Sequence, residues 1–90
     1  MQITLSINKR ARQWGYIIWS KEDTNQMRSF FNNRSSVHLI FEGMDLGKKN
    51  IDWKYNRISI GYRWTRRLSE SVSNFILKFD KTGKLNIKCK

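Results

Sequence analysis

The chain contains no proline, one cysteine and one histidine. With proline absent and only five glycines, nothing reads as a flexible linker, and no low-complexity tract interrupts the sequence. Cys89 stands alone, which excludes an internal disulfide and a cysteine-built zinc cluster. Apolar runs are only a few residues long, too short for a membrane-spanning helix. The start, Met1-Gln2-Ile3-Thr4-Leu5, lacks the basic opening, long apolar core and small-residue cleavage site of a signal peptide, so a cytoplasmic protein without a membrane partner is expected.

Acidic residues are scarce as well. Asp45, Asp52 and Asp80 lie apart in sequence, without the clustering of a metal-dependent nuclease. No phosphate-cradling glycine loop and no serine or cysteine hydrolase motif occurs. His38 falls on the polar phase of a strand pattern near Glu42. A lone histidine there is ordinarily structural, because acid–base catalysis needs a second positioned group and a pocket. The lysines flanking Cys89 could lower its thiol pKa, but its place beside the C-terminus makes it incidental. No catalytic residue, metal ligand or cofactor is expected.

Basic charge is what the chain has in excess. Eighteen Lys and Arg stand against seven Asp and Glu, a formal net charge of +11. Such an excess repels itself in a compact fold and normally reflects a polyanionic partner, although a solvated surface tuned for solubility is the plainer explanation. Apolar residues at 39% and aromatics at 13% suffice for one core, unlike a disordered basic tail, and ninety residues fit a single domain, 1–90.

Period-two alternation dominates. Ile3, Leu5 and Ile7 form one apolar phase, and Tyr16-Ile17-Ile18-Trp19 reads as a buried strand after a basic connection at Lys9 to Arg12. Val37, Leu39 and Phe41 mark another strand, and Gly43 and Gly47 frame a turn. Asn50 to Tyr55, with Ile51, Trp53 and Tyr55 on one face, is expected to be extended and to turn at Asn56-Arg57 into Ile58, Ile60 and Tyr62. Phe75, Leu77 and Phe79, a turn at Asp80 to Gly83, and Leu85, Ile87 and Cys89 complete a hairpin. One helix is predicted over Lys21 to Phe31. Ser20 and Asp23 have capping-box spacing, and Met27, Phe30 and Phe31 make an apolar stripe. Trp64 to Val72 fits either a helical turn or a loop. The expected fold is mainly β (α+β): a small antiparallel sheet or partly closed barrel with one well-defined helix.

A weak internal echo links Val37–Phe41 and Gly47–Ile51 with Phe75–Phe79 and Gly83–Ile87, which fits either two strand–helix–hairpin units wrapped into a barrel or chance similarity between two basic hairpins of like composition. The segments Tyr16–Trp19, the helix through Met27 and Phe31, and Val37–Glu42 resemble swapped-hairpin and pseudobarrel DNA-binding domains of the AbrB and MraZ kind. The resemblance is architectural, spans about half the chain, and implies a DNA-binding, regulatory role. Ser20-Lys21 stands where that family usually has a helix-opening proline, so its contact residues are not carried over.

Basic side chains cluster with aromatics. Lys9, Arg10 and Arg12 surround Trp14, while Lys48, Lys49, Lys54, Arg57, Arg63, Arg66 and Arg67 surround Trp53, Tyr55, Tyr62 and Trp64. Cations neutralise phosphates, and exposed rings offer bases a stacking surface. Lys9, Arg10, Arg12, Lys48, Lys49, Lys54, Arg57, Arg63, Trp64, Arg66 and Arg67 are therefore the candidate contacts to DNA or RNA. Trp and Tyr commonly belong to the core instead, and Arg stems commonly cover apolar surface. Two other classes fit the size and charge. One is a ribonuclease similar to the RelE toxins, although those place substantial helices before the sheet. The other is an inhibitor, of the kind phages carry, that binds an acidic protein or the channel of a nucleic-acid enzyme.

Overall fold

The structure, a computed structural model, describes residues 2–90. Seven strands form: β1 (Gln2–Ser6), β2 (Tyr16–Ile18), β3 (Ser36–Phe41), β4 (Met44–Asp52), β5 (Arg57–Ser59), β6 (Asn74–Phe79) and β7 (Lys84–Cys89). Three short helices, α1 (Lys9–Trp14), α2 (Thr24–Phe30) and α3 (Tyr62–Thr65), join them. The strands follow the order β1-β6-β7-β3-β4-β5-β2 in one sheet that curls into a nearly closed barrel. Neighbours are antiparallel except β3 and β7, which run parallel with Leu39 opposite Leu85. In chain order, β2–α2–β3–β4 and β5–α3–β6–β7 are two strand–helix–hairpin units. Their first strands pair with each other, and their hairpins meet at β3–β7.

Alternation decides which side chains fill the barrel. Val37, Leu39 and Phe41 from β3, Phe75 and Leu77 from β6, and Leu85 and Ile87 from β7 are all buried. Met27, Phe30 and Phe31 cover one end, with Phe31 meeting Phe79 edge-on at 5.2 Å. The β3–β4 hairpin turns through two residues, Glu42 and Gly43, at φ 50° and 82°. Two successive positive-φ residues define the tight turn whose twist matches its strands. Asp80 shapes the β6–β7 turn, its Oδ1 accepting from the Thr82 hydroxyl (2.6 Å) and from the backbone N–H groups of Thr82 and Lys84 (2.9 and 3.1 Å).

Local chemistry departs from the sequence-based expectation in several places. Lys9 to Arg12 lies within a helix. Asn8 Oδ1 accepts from Ala11 N at 2.7 Å, and Gly15 ends the helix at φ 75°. The helix expected over Lys21 to Phe31 divides into a 3₁₀ turn, Lys21–Asp23, and α2. Ser20 does not cap it, because its hydroxyl donates to the Asp23 carboxylate at 2.9 Å. Gly47 is not part of a turn but sits at φ 78° in a bulge where β4 carries Leu46 as an extra residue opposite Leu39 and Ile40. Strand β4 ends at Asp52, whose carboxylate accepts from Tyr55 N at 3.0 Å and folds Trp53 to Asn56 into a turn. Tyr62 opens α3 instead of extending β5. No helix among the described residues is long and apolar enough to cross a membrane.

Candidate nucleic-acid interface

Glycine brings the aromatic side of the barrel together. The Gly15 carbonyl accepts from Ile60 N (2.7 Å) and Gly61 N (3.0 Å), and a Cβ at Gly15 would lie 2.2 Å from Tyr62 N. Only glycine permits this approach, which seats the Gly15 backbone on that of Gly61 and Tyr62, where α1 packs on α3. Trp14, Tyr55 and Tyr62 are 60%, 58% and 60% exposed. Arg57 spans two rings, its guanidinium 4.4 Å from the Tyr16 centroid and 5.0 Å from that of Tyr55. Its Nε also lies 3.5 Å from Asp52. Lys54 reaches over Tyr55 at 5.4 Å, Arg66 over Tyr62 at 5.6 Å and Arg67 over Trp64 at 5.5 Å. These stacked cations hold rings and positive charge side by side.

The sequence-based candidates do not all meet there. Lys54, Arg57, Arg66 and Arg67 stack on rings of this side, with Trp64 half-buried beneath Arg67, while Arg63 is exposed on α3 and Lys9 and Arg10 are exposed on α1. Arg12 turns inward. Its guanidinium donates to the carbonyls of Leu68 (3.2 Å), Ser69 (3.1 Å) and Val72, pinning the segment after α3, while its own carbonyl accepts from the buried Thr65 hydroxyl at 2.9 Å. Lys49 shares the inward phase of Val37 and Ile51 and is half-buried. Trp53 packs on Trp19 and Phe31 at 5.6 and 6.3 Å and donates to the Arg34 carbonyl at 2.9 Å, so its half-buried ring leans on the core, with the Arg28 guanidinium 4.5 Å from its centroid.

Lys48 points elsewhere and reveals a second basic surface. It pairs across β3 with His38, which on the other side pairs with Lys84. Lys78, Lys84 and Lys88 occupy the outward phase of β6 and β7, and a shallow groove is lined by Gln2, Ile76, Lys78, Asn86, Lys88 and Lys90. Sequence reasoning missed these lysines, although their alternation with Leu77, Leu85 and Ile87 was the signal for them.

His38, Asp45 and Glu42 near this surface are engaged. His38 Nε2 donates to Asp45 Oδ1 at 2.6 Å, not to Glu42. The β4 bulge aims that carboxylate, whose pKa is held below its ordinary value first by the Gly47 N–H and then by His38. Glu42 instead accepts from Cys89 N at 2.8 Å. Far from being lowered by neighbouring lysines, the Cys89 thiol pKa is pushed up to about 12 by burial and by Glu42.

Comparison with protein-family models, curated proteins and solved structures yields no match to this chain.

Proposed function

We propose that this protein binds nucleic acid through the side formed by α1, β2, β5 and α3. The observation that carries the reading is the company the exposed rings keep. Tyr55 and Tyr62 are more than half exposed and each lies beneath a cation, and the equally exposed Trp14 immediately precedes Gly15, whose backbone packs on that of Tyr62. A ring left in water loses the benefit of burial, whereas a base stacked on it restores that benefit, and the neighbouring guanidinium takes the adjacent phosphate. Arg63, Arg66 and Arg67 supply the densest charge, with Lys9, Arg10, Lys54 and Arg57 at its margins.

The test is salt-dependent binding of labelled oligonucleotides. With about 4–6 phosphate contacts on duplex DNA, the logarithm of affinity falls against the logarithm of salt with a slope near −4 to −5. Changing Arg63, Arg66 and Arg67 together to Ala flattens that slope by roughly 2–3. Trp14→Ala with Tyr62→Ala weakens single-strand binding by about 1–3 kcal/mol per base unstacked, with less effect on duplexes. A folded protein that binds neither DNA nor RNA at low salt, or captures only an acidic protein, overturns the proposal.

A further inference from the structure

The outer surface of β6, β7, β3 and β4 carries charge that the Arg–aromatic side does not use. Lys78, Lys84, Lys88 and Lys48 project from interior strands of the sheet. Lys48, His38 and Lys84 form one row across three adjacent strands, about 10 Å wide at ~4.8 Å per strand spacing. Lys78 stands opposite Asn86, and so diagonal to both Lys84 and Lys88, while Lys88 stands opposite Ile76. Cross-strand diagonals bring long side chains within reach of one another, so these ammonium groups repel unless an anion lies over them.

Two ordinary explanations do not account for the arrangement. Lysine often protects an edge strand from pairing with another chain. Here the edge strands, β1 and β2, contain no lysine, and the lysines stand in the middle of the sheet. Nor do the lysines serve internal ion pairs, since among the described residues the ion pairs are His38–Asp45 and Arg57–Asp52. Asp45 and Asp80 attract Lys84 at longer range without forming an ion pair with it, their carboxylates being held by the β4 bulge and the β6–β7 turn, and Glu42 accepts from Cys89 N, so Lys78 and Lys88 have no ion-pair partner among the described residues.

We propose that this lysine face is a second phosphate-backbone site, so that one molecule holds two nucleic-acid segments at once. The inference rests on the nucleic-acid reading of the Arg–aromatic side and extends it. Around the nearly closed barrel, β3 and β4 on one side and β1 on the other lie between the lysines of β6 and β7 and the strands β5 and β2, with Lys48 between the two surfaces, so the two sets of cations face different directions. Their chemistry also differs. The lysine face has compact point charges, the amides of Gln2 and Asn86, and no strongly exposed ring, which suits the backbone of a duplex and offers no stacking for unpaired bases.

The experiment mixes the protein with short duplexes carrying a donor dye and others carrying an acceptor. Energy transfer reports bridging, and sedimentation gives the number of duplexes and of protein chains in each complex. The expected result is energy transfer from complexes of one chain with two duplexes. Lys78→Gln, Lys84→Gln and Lys88→Gln combined should abolish transfer and leave one duplex per chain, with apparent affinity falling no more than about twofold at low salt. Thermal melting of that variant checks that its fold is intact. A wild-type chain that binds a single duplex even in excess overturns this inference and leaves the first proposal standing. So does bridging that survives the triple change, or bridging seen only in protein dimers. A lysine face that takes polyglutamate but not duplex overturns it in favour of an acidic protein, and loss of all oligonucleotide binding removes both proposals.

Discussion

Arg12 lies between Arg10 and Trp14 and, in linear sequence, is indistinguishable from a phosphate contact. Its partners, the carbonyls of Leu68 and Val72, are 56 and 60 positions away, beyond any pattern of spacing. A guanidinium fork satisfies several carbonyls that an ammonium cannot span. Arg12→Lys is therefore expected to cost about 1.5–3 kcal/mol, read as a lower urea midpoint, without changing the salt slope of oligonucleotide binding. An unmoved midpoint in Arg12→Lys, with a slope flattened by about one in Arg12→Ala, would make Arg12 a phosphate contact after all. Cys89 illustrates the same limit. Its flanking lysines were visible, but the Glu42 carboxylate that meets it comes from 47 positions away.

Among the elements, strands were the most legible, because alternation is itself the cause of their burial. The inward positions Val37, Leu39, Phe41, Phe75, Leu77, Leu85 and Ile87 follow from period two alone. Helices were less so. The signals for α1, Asn8 before and Gly15 after, lie within a basic stretch with one buried apolar residue, Ala11, too short to show a helical stripe. At Ser20 the capping-box spacing was present, but the 3₁₀ turn diverted the hydroxyl to a carboxylate. The two caps thus exchange importance. Asn8→Ala should lower stability by about 0.5–2 kcal/mol in chemical denaturation, and Ser20→Ala by less than about 0.5 kcal/mol. Equal shifts, or the reverse order, would contradict the assigned caps.

On the scale of the whole molecule, the sequence pattern identified a mainly β chain but not its strand order. Hydrophobic phase tells a strand which face to bury, yet says nothing about which edge it meets. The β6–β7 hairpin could be anticipated from Asp80–Gly83, whereas the first turn, expected from Gly43 to Gly47, tightens to Glu42-Gly43 with β4 starting at Met44, and neither β1 against β6 nor β3 parallel to β7 could be anticipated. The candidate interface divides in the same way. The density of Arg63 to Arg67 was evident in one dimension, but its separation from the lysines of β6 and β7 exists only once the sheet has curled. The pairing of Gln2 with Lys78 also constrains synthesis. As the ribosome makes the chain, β1 emerges first and finds no partner until Asn74–Phe79 has cleared the exit tunnel, and the second edge of β3 stays open until Lys84–Cys89 follows. Contacts so distant in sequence slow folding and leave apolar edges exposed meanwhile. Nascent chains arrested before Asn74 should consequently remain protease-sensitive and bind a hydrophobic dye. Resistance equal to that of the finished chain would mean that the first half folds without its closing hairpin.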